Sequence, residues 1–264
     1  MRASLMAVLG AGPLFAFVAF AGCGGDDTPG TVAKVSVTAS PASTVNDPKP
    51  SPKLPGPASK YSLLFEDVGS GYLSDVQGTF TTTIDNYAKS PTFASEQEGR
   101  DSLTKWGYQG GFETGYIPEG RINAVLNGDF YITIELHLFN DENGAKAAYS
   151  YFESKLKGGS AQQVPGANVG NQSSGWRRLT GKVGTSNIDA VIHTVVFRRG
   201  NLLAVVLTQG ADPFMRIDNV MDVARIIDQK ALGQIPAVEP TPASNFKTPT
   251  PNPVTPTPTP GGSR

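Results

Sequence analysis

Cysteine is almost absent from this chain of 264 residues, where Cys23 stands alone. A lone cysteine has no disulfide partner within the chain and cannot build a thiolate metal cluster. Histidine is scarce too, with His137 and His193 the two present. A Ser-His-Asp triad or a zinc site would have to be built around one of those rings. Neither sign of charge is in excess: 22 Lys and Arg face 23 Asp and Glu, a formal net charge of −1. That balance gives no electrostatic footprint for nucleic acid. The Gly-x-Ser-x-Gly elbow of serine hydrolases does not occur, and Ser173-Ser174-Gly175 reads as a loop. The phosphate-binding P-loop is missing as well. Gly107-Tyr108-Gln109-Gly110-Gly111 lacks the lysine that motif needs and is better explained as a bend or bulge. After the first 22 residues no apolar run reaches the length of a membrane span.

Proline is sparse in the middle of the chain and dense towards its ends. Of 21 prolines, seven lie in 24–58 and nine in 236–264. Both stretches also collect Thr, Ser, Gly and Asn and hold few large apolar side chains. Such segments cannot bury enough surface to offset the entropy of ordering. The expectation is a disordered linker over 23–58 and a disordered Thr/Pro-rich tail over 236–264. The Thr-Pro run 255–260 favours an extended polyproline-like chain. Fully extended, the linker could reach on the order of 100 Å. The block between, 59–235, is long enough for one domain with a sizeable core.

The N-terminus has its own layout. Residues 1–22 carry one charge, Arg2, then Leu5, Met6, Val8, Leu9, Leu14, Phe15, Phe17, Val18 and Phe20. A basic start, an apolar middle and small residues before a cut make an export signal. Gly10, Gly12 and Pro13 weaken the middle as a lasting membrane helix. The run Phe20-Ala21-Gly22-Cys23 closes it and resembles the lipobox of bacterial lipoproteins, with Phe20 where leucine is commoner. The resemblance implies cleavage before Cys23, lipidation of that cysteine and a lipid-anchored protein on the extracytoplasmic face of a cell membrane. Two acyl chains suffice for stable anchoring.

Within the block, 130–139 alternates: Ile132, Ile134, Leu136 and Leu138 share one face, and Tyr131, Thr133, Glu135 and His137 the other. That predicts a strand with one core face and one mixed, partly solvated face. A turn at 140–144 leads into a helix carrying Ala145, Ala148, Tyr149, Phe152 and Leu156. Residues 188–198 alternate again, Arg199-Gly200-Asn201 supplies a tight turn, and Leu202 to Leu207 reads as a strand buried on both faces. Asp212-Pro213 reads as the start of a last helix bearing Ile217, Val220, Met221, Ala224 and Ile227, with Gly233 as its stop. Further strands are predicted at 106–117 and 176–183, and a helix at 93–105, where Ser95 and Glu98 have capping-box spacing. The predicted fold is α+β, an antiparallel sheet with helices packed on one face, arranged as two similar β-rich halves. This element order, with Phe197-Arg198-Arg199-Gly200-Asn201 leading into a strand and final helix, resembles small bacterial surface-lipoprotein domains of the PsbP-like kind.

Three constellations could carry chemistry. Glu135, His137 and His193 would form a two-histidine, one-carboxylate metal site if their strands were neighbours presenting one face. Arg177, Arg178, Arg198 and Arg199 could hold an anion through bidentate contacts. Trp106, Tyr108, Phe112 and Tyr116 could form a stacking cleft for a sugar or apolar ligand, or simply be strand core. No catalytic residue and no cofactor is assigned. The expected function is a non-catalytic binding or interaction module of the cell envelope, held to the membrane through Cys23 and meeting an envelope protein or a small ligand. The alternative is an envelope hydrolase or metal-dependent enzyme using Glu135, His137 and His193.

Overall fold

The computed structural model describes residues 49–240. The signal segment 1–22, Cys23, most of the linker and the tail from 241 lie outside the described residues. The elements run α1 (Phe65–Val68), β1 (Tyr72–Ser74), β2 (Phe80–Thr82), α2 (Ile84–Tyr87), α3 (Glu96–Lys105), β3 (Tyr108–Pro118), α4 (Ile122–Leu126), β4 (Phe130–Phe139), α5 (Glu142–Lys157), β5 (Gln162–Val164), β6 (Gln172–Lys182), β7 (Asp189–Arg199), β8 (Leu202–Ala211) and α6 (Ile217–Ala231). One antiparallel sheet takes the order β1-β3-β4-β8-β7-β6-β5, and β2 pairs with β3 beyond β1. The class is α+β, as the sequence pattern predicts.

The expectation of helices on a single face is corrected. Both faces of the sheet are covered. On the first, Ile134 and Leu136 of β4, Val195 and Phe197 of β7 and Ala204 and Val206 of β8 meet Val220, Met221, Ala224 and Ile227 of α6. On the second, Val196, Leu203 and Val205 meet Ala148, Tyr149, Phe152 and Leu156 of α5, with Phe93 and Leu103 beside them. Successive strand residues alternate faces, so a strand buried on both sides must be apolar at nearly every position. The run Leu202 to Val206 obeys that rule and is almost fully inaccessible.

The predicted echo between two halves survives as element order only. Hairpin β3–β4 precedes α5, and hairpin β7–β8 precedes α6. The two helices pack on opposite faces, so the halves are not copies of one arrangement. Local signals hold elsewhere. Ser95 accepts from the Glu98 N–H at 3.1 Å, and Asp141 caps α5 by accepting from the Gly144 N–H at 2.9 Å. Gly233, at φ +69°, closes α6, with the Gln234 N–H donating back to the Gln229 carbonyl at 2.9 Å. Asp212-Pro213 does not begin α6. The helix starts at Ile217, where Asn219 accepts from the Arg216 N–H at 2.7 Å.

The linker boundary also moves. Residues 49–58, expected to be disordered, are packed on the domain, and Leu54 and Ala58 are buried. Their anchor is the turn between β7 and β8. Asn201, 1% exposed, accepts from the Leu54 N–H at 2.6 Å and donates to the Leu54 carbonyl at 3.1 Å and the Phe139 carbonyl at 2.8 Å. Arg199 donates to the Pro50 carbonyl at 2.8 Å, and Asn171 donates to the Lys49 and Pro50 carbonyls. Gly200 is required here: its φ is +56°, and a Cβ would lie 1.7 Å from the Pro52 carbonyl oxygen. A proline-rich segment makes few backbone bonds of its own, so side chains of the sheet supply them.

Asn201→Ala would strip partners from three buried backbone groups. The expected cost is about 2–3 kcal/mol of stability. Urea denaturation of the full chain checks this, and a loss below about 0.5 kcal/mol would show that the clamp is incidental.

Candidate functional site

The structure separates the three constellations drawn from the sequence. Glu135 and His137 share one face of β4, the face covered by α5, and both are buried. This corrects the partly solvated face expected for them. His193 pairs in register with Thr208 on β7–β8 and shares the parity of Val195 and Phe197. It therefore points to the α6 face, away from Glu135 and His137. The predicted three-ligand metal site is not assembled. Among the described residues no group of three His, Cys, Asp or Glu side chains could hold a metal ion.

The four arginines are likewise split between faces, and three are matched by carboxylates of the protein itself. Arg177 pairs with Asp212. Arg198 donates to Glu142 at 2.7 Å and to Gln172 at 3.2 Å. Arg199 makes a buried two-pronged pair with Asp228, both bonds at 2.7 Å. Arg178 is half-buried on the opposite side of β6 from Arg177. No shared anion cradle results. Arg177 also lies in register with His193, whose proton affinity is lowered by burial first and by the Arg177 charge second.

The aromatic segment is core on both faces. Phe112 and Tyr116 belong to the α6-side core, and the Tyr116 hydroxyl donates to the Leu63 carbonyl at 2.7 Å. Tyr108 faces the α5 side. Trp106 follows α3 and packs against Tyr151 with ring centroids 5.3 Å apart. The four rings do not line one cleft.

One polar cluster remains, and three of its members, Glu113, Tyr87 and Thr82, were not singled out by sequence. Glu113 of β3 is the register partner of Glu135 of β4. Both are 7% exposed and share a face. The Tyr87 hydroxyl, from α2, donates to Glu135 Oε2 at 3.2 Å. The Thr82 hydroxyl is 2.6 Å from the Tyr108 hydroxyl, which is 3.3 Å from His137 Nδ1. His137 Nε2 has no hydrogen-bond partner and points towards Glu135 Oε2 at 3.6 Å. The Tyr87 ring lies 4.5 Å from the imidazole and 6.0 Å from Tyr108, centroid to centroid.

The Tyr87 hydroxyl donates to Glu135, and among the described residues no side-chain hydrogen bond to Glu113 is formed. Burial, and then the charge of Glu135, push the Glu113 carboxyl up to about 8. Burial likewise raises the Tyr87 hydroxyl well above its usual range, helped by Glu135. Chemically, the cluster can hold and release one proton near neutral pH. The sequence did carry a signal for Glu113: a charged residue set between Phe112 and Tyr116 in an apolar strand. Tyr87 carried none, because its partner is 48 residues away.

No family model matches the chain, and no curated protein is similar to it. Among solved structures, it is similar to the extracellular domain of PknH from Mycobacterium tuberculosis, at 12% identity and a TM-score of 0.42. The match covers 69% of this chain and 100% of that one.

A carboxyl raised in the folded state binds more protons there than in the unfolded chain between about pH 4.5 and 8. Its contribution to stability is full below pH 4.5 and is lost as the pH rises towards 8. Glu113→Gln should remove that decline and leave the protein more stable than wild type at pH 8. Urea midpoints across pH 4–9 measure it, and parallel curves for the two proteins would refute the assignment.

Proposed function

We propose that this protein is a lipid-anchored extracytoplasmic module of the cell envelope that binds a partner without catalysis. The observation that carries the reading is Phe20-Ala21-Gly22-Cys23 at the end of an export-type signal, ahead of a folded domain among the described residues 49–240. The anchor joins the membrane through Cys23. Binding rather than chemistry is supported by the fate of the polar candidates. Arg177, Arg198 and Arg199 are matched within the fold, and His137 and His193 face opposite sides of the sheet. The surface open to a partner, an envelope protein or a small ligand, includes the outer side of the helices and loops and the exposed part of β5 and β6.

In its native host the wild-type protein should fractionate with membranes, and Cys23→Ala should release or retain an uncleaved precursor. Intact mass of the purified wild type should show residues 1–22 removed and acyl mass added at Cys23. A wild-type chain that is cleaved, free of lipid and secreted would overturn the proposal.

A further inference from the structure

We propose that Glu113 and Glu135 together form a proton-binding site that governs how firmly the β2–α2 segment, residues 76–92, is seated on the sheet. Like charges directly opposite one another on adjacent strands destabilise a sheet, and here the pair is also removed from water. The groups that face it offer no compensation by positive side chains. β3 contributes the Tyr108 hydroxyl, β4 the His137 ring and α2 the Tyr87 hydroxyl. β2 contributes Phe80, the register partner of Glu113, and Thr82. From α5 the Phe152 ring reaches His137, 5.8 Å between centroids. Among the described residues, neither carboxyl has a lysine or arginine as an ion-pair partner. One proton on the pair removes the conflict; its loss restores it.

The structure offers one place for that conflict to be relieved. β2 is three residues long and pairs along the β3 edge, and the four-residue α2 lays the Tyr87 ring over this part of the face beside Phe152 of α5. Their hold on the cluster is the Tyr87 bond to Glu135 and the Thr82 bond to Tyr108. At the α3 end the segment is fixed separately. Ala88 lies so close to Gly99 that a Cβ there would meet its carbonyl oxygen at 2.5 Å, and Asp85 pairs with Arg100 at 2.6 Å. Lifting the segment about that end admits water to both carboxyls, and the proton on Glu113 passes to solvent. The short β2–β3 ladder and the Tyr87–Glu135 and Thr82–Tyr108 hydrogen bonds open, and the one covalent bond broken is this O–H. The open form then binds the proton with ordinary carboxyl affinity. Opening should become more favourable by roughly tenfold per pH unit between about 4.5 and 8, and level off above.

Amide hydrogen exchange on the full chain between pH 5 and 9 tests this, using protection factors corrected for the chemical exchange rate. In the wild type, protection at 80–90 should fall steadily up to pH 8 and then flatten. The fall should be insensitive to low urea, the mark of a local opening. Glu113→Gln should abolish it while β7 and β8 keep their protection, which also confirms that the variant folds. Glu135→Gln serves as a second variant and should do the same. Protection at 80–90 that does not depend on pH would overturn the proposal. So would a fall that persists in both variants, or one that tracks β7 and β8 with equal urea dependence, since that is global unfolding.

Discussion

The central strands β4, β7 and β8 are covered by helices on both faces, and this double burial dictates what every polar side chain on them must do. Water is not at hand, so each donor or acceptor needs a partner inside the fold. Arg199 finds Asp228 across to α6, Arg198 finds Glu142 across to α5, and Asn201 finds the backbone of residues 54 and 139. Residues that look on paper like an exposed basic patch are thus the fastenings between sheet and covering layers. The same demand recruits the N-terminal segment from Lys49 onwards. Its backbone bonding, limited by four prolines between 49 and 58, is completed by Asn171, Arg199 and Asn201, which turns part of a linker into part of the domain.

The rule is obeyed imperfectly at His193 Nδ1 and Thr208 Oγ1 on the α6 side and around the Glu113–Glu135 pair on the α5 side. The Tyr87 hydroxyl donates to one carboxyl, while the other has burial and a neighbouring charge to contend with. A proton is the cheapest counter-ion available to such a pair. The unpartnered Nε2 of His137 belongs to the same shortfall. Buried groups with perturbed affinity concentrate at functional sites, and here they lie beside the three-residue β2 and the four-residue α2.

Much of the fold was legible in the sequence because period-two and helical patterns survive in single strands and helices. The β4 alternation, the doubly buried run of β8, the cap of α3 and the Gly233 stop all follow from local spacing. What covers each face was not legible. The alternation in 130–139 showed Glu135 and His137 opposite the Ile and Leu side chains, yet only the packing of α5 reveals that their face is interior too. The relation of His193 to His137 depends on the parity linking β7, β8 and β4, which a sequence without strand order does not supply. Leu54 escaped because its partner, Asn201, is 147 residues away and the composition around it reads as linker.

The central claim is that double burial leaves one carboxyl of the β3–β4 pair holding its proton at neutral pH. Nuclear magnetic resonance of the full chain, with glutamate side-chain carboxyls labelled with carbon-13, follows each carboxyl through its titration. The account predicts one glutamate resonance that titrates near pH 8 and disappears in Glu113→Gln. If every glutamate titrated in the ordinary range near 4.5, the pair would be hydrated and the second face of the sheet open, contrary to the structure described.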